Sequence, residues 1–263
     1  MYSPDTMNAP PTAAETFARD GVLCVDRLLP TAALEPVRTA FADPIDQQDG
    51  RRAGVRGLLD PERCTRAAAV RALAGREEVW GLAAALIGPD AVAVRATLFD
   101  KSPDANWGVP WHRDERLEVA DRVPSSLWTD WKRADGRWTA RPPREFLLKM
   151  VAIRVQLDDG GGDAGPLRVR PGSHRSLEAD HAGEDHAGEE RTCIIPAGGA
   201  VAMCPAALHA SGWAEFSANG ASRRRVIHIE YGPSRLPGDA RWRYALRPPT
   251  AASLSVPAAR DRI

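Results

Sequence analysis

Apolar residues recur at helical spacing through the first third of the chain and at alternate positions through most of the rest. Thr12, with Glu15 three residues on, forms a capping box opening a helix over 13–20. Gly21-Val22-Leu23-Cys24-Val25 reads as a short strand, and Thr31 as the N-cap of a second helix carrying Leu34, Val37 and Phe41. A polar loop over 43–57 precedes helices over 62–73 and 77–87, the last closed by Gly88-Pro89. From Ala91 the period is two: Val92, Val94, Ala96 and Leu98 alternate with Ala93, Arg95, Thr97 and Phe99. Further strands are predicted around His112, over 146–157, 166–170, 193–195 and 200–204, and from Arg225 to Tyr231. Helices followed by closely spaced strands predict a mainly β domain, a sandwich or barrel with a helical flank. Between 118 and 145 lies a long insertion with Trp128, Trp131, Trp138 and Pro142-Pro143. Connections of that length are functional or disordered, and tryptophan argues against disorder, so a lid or substrate-pocket wall is expected. Residues 1–11 are expected to be disordered and the Arg-, Pro- and Ala-rich 233–263 a peripheral tail, which leaves 12–232 as one domain.

Composition narrows the partners. The chain has 263 residues with 35 basic and 35 acidic side chains, so it has no electrostatic footprint for nucleic acid or an anionic membrane. No apolar run reaches the length of a membrane span, and no secretory leader pattern opens the chain. Cys24, Cys64, Cys193 and Cys204 lack Cys-x-x-Cys spacing and read as reduced thiols of a cytoplasmic protein. A small-molecule substrate is the partner left; oligomeric state is not legible.

The candidate chemistry begins at Trp111-His112-Arg113-Asp114. On an extended strand His112 and Asp114 point to one face, which supplies two thirds of a 2-His-1-carboxylate iron site. The third ligand belongs at the end of a later strand. His209, after Val201-Ala202-Met203-Cys204, is preferred to mid-strand His228. His174, in Pro-Gly-Ser-His, reads as a turn-fixing residue, and His181 and His186 read as part of a solvated acidic loop. Iron with three open positions calls for a chelating co-substrate. A 2-oxo acid needs a cation for its distal carboxylate, which arginine's fork supplies. Arg223-Arg224-Arg225 opens the last strand, and alternation puts Arg224 on the face opposite its neighbours.

These residues, together with Leu98-Phe99-Asp100-Lys101, Leu157-Asp158-Asp159, the run Gly165 to Arg175, Leu208-His209-Ala210-Ser211 and the run Arg224 to Tyr231, occur in the order of a known family. Over about Val92 to Tyr231 the chain resembles the phytanoyl-CoA dioxygenase family of Fe(II)/2-oxoglutarate-dependent oxygenases. The resemblance implies a double-stranded β-helix (jelly-roll, cupin-like) with N-terminal helices packed on the major sheet. It implies Fe(II) bound by His112, Asp114 and His209, with 2-oxoglutarate and O2 as co-substrates. It places the 2-oxoglutarate arginine at Arg224, with Ser211 and Lys101 also near the co-substrate. Family members often carry Gln where this chain has Arg113, whose side chain should point away from the metal. Related halogenases have a small residue in place of Asp114, so the carboxylate favours hydroxylation, or desaturation or cyclisation.

The substrate pocket is expected to draw on Arg154 and Gln156, which share a strand face, and on Trp128, Trp131 and Trp138; the alternatives are a polar network inside the barrel for the first two and anchoring of the insertion to the barrel for the tryptophans. The expected activity is hydroxylation of a small, largely apolar molecule, as in secondary metabolism. Two rival classes are a cupin-like metal enzyme that does not use 2-oxoglutarate and a non-catalytic binding module on the same barrel.

Overall fold

The computed structural model describes residues 11–43, 54–60, 62, 66–176, 189–216 and 223–247. The expectations for 1–10, for the loop of His181 and His186, and for 248–263 lie outside them. Helix α1 (Ala13–Asp20) is capped as predicted: Glu15 N donates to Thr12 Oγ1 at 3.2 Å, and Thr12 N donates to the Glu15 carboxylate at 2.8 Å. Gly21 ends it at φ +68°, where a Cβ would stand 2.4 Å from the ring of His174. His174 is buried there with Nε2 3.2 Å from Ala18 O, a turn-fixing role.

Strand β1 (Val22–Val25) leads to α2 (Glu35–Ala40). Thr31 does not cap α2; it starts a 3-10 turn over Thr31–Leu34 instead. A short β2 (Val55–Arg56) follows, inside the stretch expected to be loop. Helix α3 (Ala67–Ala74) begins later than predicted, and α4 (Glu77–Ile87) follows. Then come β3 (Ala91–Lys101) and β4 (Val109–His112). The insertion contributes β5 (Leu117–Val119), β6 (Thr129–Ala134) and β7 (Arg137–Arg141). The run over 146–157 is not one strand: α5 (Arg144–Leu147) precedes β8 (Val151–Gln156). The last strands are β9 (Leu167–Val169), β10 (Arg191–Cys193), β11 (Ala200–Met203), β12 (His209–Ser211) and β13 (Arg224–Pro233).

Among the described residues, two of three antiparallel sheets form the barrel: a major sheet in the order β1-β11-β8-β13-β3-β2 and a minor sheet in the order β10-β9-β12-β4. Register sorts the side chains of the major sheet. Arg224, Val226, His228 and Glu230 stand opposite Lys101, Phe99, Thr97 and Arg95 on β3, while Val226 and His228 also stand opposite Gln156 and Arg154 on β8. Directly opposed residues of an antiparallel pair share a face, so all of these lie on one side. The other side carries Ile153, Val155, Ile227, Ile229, Tyr231, Ala96 and Leu98, all buried. It is covered by helices: α4 lies across β3, β8 and β13, and Tyr231 donates its hydroxyl to Ala74 O of α3 at 2.7 Å. The helical flank therefore takes the apolar face. The polar face turns inward, between the sheets.

The insertion and the chain after β13 correct two expectations. The β5-β7-β6 sheet turns at Asp135-Gly136, both at positive φ as a two-residue hairpin requires. Trp128 is buried and donates Nε1 to Pro237 O at 3.0 Å, Trp131 packs between Trp128 and Trp138, and Val119 bridges Trp242. The insertion is a packed sheet anchored to the C-terminal segment, because each indole finds apolar neighbours and Trp128 a carbonyl partner there. That segment is not peripheral before residue 248: Leu236, Ala240 and Trp242 are buried, and Leu246 bridges Ala93 of β3.

Candidate metal centre

His112 ends β4, His209 starts β12, and the two stand opposite one another in the minor sheet with ring centroids 4.2 Å apart. Asp114 does not extend β4. It follows the strand end, where its backbone N–H donates to Pro205 O at 2.9 Å and aims the carboxylate back at the histidines. His112 Nε2 lies 3.8 Å from Asp114 Oδ1 and His209 Nε2 lies 3.6 Å from Asp114 Oδ2. The three residues can offer ligand atoms all within 4.8 Å of one another.

Each imidazole is oriented from behind. His112 Nδ1 is 2.8 Å from Pro110 O and His209 Nδ1 is 3.0 Å from Ala207 O, so each Nδ1 carries the proton it donates to a carbonyl. That tautomer leaves each Nε2 lone pair facing Asp114, the arrangement found behind metal-ligating histidines. Burial pushes His209 down to about 4, so its ring is neutral at neutral pH. Burial alone would raise the Asp114 carboxyl, but the neighbouring imidazoles of His209, His228 and His112 and the Arg95 guanidinium hold it below the usual carboxylate range. Two imidazole Nε2 atoms and one carboxylate on one side of a cavity fit a divalent metal, and Fe(II) with open positions in particular. Arg113 turns away, donating to Ser173 O at 2.8 Å and to Ala206 O.

A cavity of about 470 Å3 opens beside the three ligands. Lys101, Arg154, Ser211 and Arg224 line it, as do Phe99, Trp107 and Trp213. Arg223 and Arg225 point elsewhere. Arg223 forms a bidentate pair with Asp100 (2.7 and 2.5 Å) and Arg225 one with Asp158 (2.8 and 2.7 Å). Arg224 is 2% exposed, and its Nε has no partner among the described residues. Burial, then the charge of Arg154, depresses Arg224 to about 9. Lys101, directly opposite on β3, is depressed to about 7 by burial, then by Arg224 and Arg154. Its Nζ donates to Gly212 O at 2.6 Å.

The structure thus brings together His112, Asp114, His209, Lys101, Ser211, Arg224 and Arg154. Gln156 is buried on the same sheet face but does not line the cavity. Trp128, Trp131 and Trp138 do not line it either: Trp128 is committed to Pro237 of the C-terminal segment, and Trp131 and Trp138 stack on from it within the insertion. The aromatic walls are Trp107 and Trp213. Their signal was positional: Trp213 follows His209 by four residues, and Trp107 sits in the loop just before β4.

Comparison with known proteins defines the class. The family model for phytanoyl-CoA dioxygenase (PhyH) matches residues 17–215. The chain belongs to that family. Among solved structures, AviO1 from Streptomyces viridochromogenes Tue57 is 25% identical, with 86% of this chain and 96% of that chain covered and a TM-score of 0.58. SnoN, described as a non-heme alpha ketoglutarate dependent epimerase from nogalamycin biosynthesis, is 18% identical over 91% of this chain and 94% of its own, with a TM-score of 0.58. Iron-bound HygX from Streptomyces hygroscopicus is 15% identical over 83% and 84%, with a TM-score of 0.53. No curated relative matches the chain by sequence. The fold is the family's double-stranded β-helix, and iron with 2-oxoglutarate is the cofactor set that the family and this donor set support. No helix among the described residues is long and apolar enough to cross a membrane.

Proposed function

We propose that the protein is an Fe(II)- and 2-oxoglutarate-dependent dioxygenase that oxidises an unactivated C–H position of a small, largely apolar molecule, with hydroxylation as the outcome. The observation that carries this is a single cavity with a His-Asp-His donor set on its wall and the buried pair Lys101 and Arg224 without a carboxylate partner among the described residues. Bound by His112, Asp114 and His209, Fe(II) supplies the coupling of O2 reduction to decarboxylation of 2-oxoglutarate, with succinate, CO2 and oxidised substrate as products. The protein's own part is positional. Pro110 O and Ala207 O keep both Nε2 lone pairs available. The Arg224 fork, with Lys101 and Ser211 beside it, takes the distal carboxylate. Phe99, Trp107 and Trp213 give an apolar wall that favours a carbon-rich substrate over a highly charged one.

A second outcome is favoured by one observation. SnoN, of the same fold, is described as an epimerase, so hydrogen removal without retention of a hydroxyl is the alternative at this type of site. Succinate production with Fe(II), 2-oxoglutarate and candidate apolar substrates tests the proposal. It is expected in the native protein and absent in His112→Ala and Asp114→Ala. Undiminished turnover in either variant would overturn the assignment.

A further inference from the structure

The cavity holds more positive charge than one distal carboxylate accounts for. Arg154 lines it as well as Lys101 and Arg224, and among the described residues no carboxylate forms an ion pair with any of the three. Arg154 is 6% exposed, and its Nε has no partner among the described residues. Burying a guanidinium without a counter-anion costs several kcal/mol, so a cation retained in this way points to an anion that arrives with a ligand.

Arg154 is also held in place. Its Nη1 lies 3.0 Å from His228 Nδ1, and because arginine can only donate, that nitrogen must be the acceptor. His228 is then neutral with its proton on Nε2, which faces Glu230 at 3.5 Å. Glu230 in turn accepts from Arg95 Nε at 2.6 Å. On its other side the Arg154 guanidinium sits 5.1 Å from the Phe99 ring centre. The relay Arg95–Glu230–His228–Arg154 runs along the inward face of β3, β13 and β8, so the fork is set before any ligand enters.

Arg154 stands apart from Arg224 on the same face: on β8 it lies opposite His228, four residues along β13 from Arg224. It lines the same cavity as His112, Asp114 and His209, so a 2-oxo diacid that chelates there and reaches Arg224 lies in the space Arg154 borders. We propose that Arg154 is a second carboxylate anchor, which binds the metal-proximal carboxylate of the 2-oxo acid while Arg224 and Lys101 take the distal one. This rests on the dioxygenase reading above.

The test is titration calorimetry of the Mn(II)-loaded protein with 2-oxoglutarate and with 2-oxobutyrate, which lacks the distal carboxylate. Arg154→Gln is expected to weaken both ligands by about 10- to 100-fold, the loss of one charge-assisted contact. Arg224→Gln should weaken 2-oxoglutarate alone. Arg154→Lys, which keeps the charge and loses the fork, should fall between, and Mn(II) affinity and melting temperature report whether each variant is folded. Unchanged binding of both ligands in folded Arg154→Gln or Arg154→Lys overturns the proposal, as does a loss confined to 2-oxoglutarate, which would move Arg154 to the distal end. Failure of the native protein to bind either ligand while holding Mn(II) would instead overturn the dioxygenase reading.

Discussion

Replacing Arg224 with Gln separates binding from stability in a way that replacing its neighbours does not. Arg224 is buried opposite Lys101 and near Arg154, and among the described residues it has no ion pair. Its substitution therefore removes like-charge repulsion from the free protein, and the melting temperature should hold or rise. The cost falls on the ligand. Truncating one partner of a buried, hydrogen-bonded charge pair costs about 2–5 kcal/mol. That is a loss in 2-oxoglutarate affinity of about 30-fold to several thousand-fold. Arg225→Gln should do the reverse. It breaks two charge-assisted bonds to Asp158, worth about 1.5–3 kcal/mol each before the surface exposure of that pair reduces them, and should leave the ligand affinity within about twofold. Equilibrium binding of 2-oxoglutarate to the Mn(II)-loaded protein, paired with thermal melts, reads both quantities. An Arg224→Gln variant that binds 2-oxoglutarate as the native protein does would refute the reasoning, and so would one that melts well below it while Arg225→Gln does not.

Lys101 sets two opposite pH trends. Its folded value near 7 lies below the unfolded one, so between those values the unfolded chain binds more protons and the ligand-free protein gains stability as pH rises from about 7. Co-substrate binding goes the other way, because a carboxylate favours the charged ammonium, so 2-oxoglutarate affinity should fall above about pH 7. Lys101→Met should flatten both trends; trends that persist in it would place them on another group. Trp128→Ala should lower stability by about 3–5 kcal/mol without changing 2-oxoglutarate binding. Trp213→Ala, 61% exposed at the cavity, should leave the melting temperature unchanged and raise the KM for an apolar substrate. The contrary result for that pair would return the insertion to the substrate pocket. His209→Ala should abolish tight metal uptake measured by dialysis and metal analysis, and uptake equal to native would exclude it as a ligand.

Much of the site was legible because it lies on strands. A period of two sets Arg224 on the face opposite Arg223 and Arg225, but spacing left open which of the three turns inward, and it was the family resemblance that pointed to Arg224. The pairing of β13 with β3 sets it opposite Lys101, and β12 with β4 sets His209 opposite His112. Asp114 was reached by the wrong geometry: it lies beyond the strand, and a backbone bond to Pro205 aims it. The tryptophans misled because the sequence shows that an insertion is packed but not what it packs against. Trp128 finds its partner at Pro237, more than a hundred positions away. The same distance hid the role of Ser234 to Arg247, whose Pro- and Arg-rich composition resembles a tail although Trp242 completes the core. Arg154 and His228 looked alike as polar residues in strands; only the pairing of β8 with β13 joins them.

The central claim is that one cavity binds iron and 2-oxoglutarate together. Anaerobic titration of the Fe(II)-loaded protein with 2-oxoglutarate tests it most directly, through the visible charge-transfer absorption that a chelated 2-oxo acid gives on Fe(II). The account predicts a saturable band in the native protein, its absence in His209→Ala and a shift to much higher 2-oxoglutarate concentration in Arg224→Gln. Stoichiometric Fe(II) uptake with no band at saturating 2-oxoglutarate would contradict it.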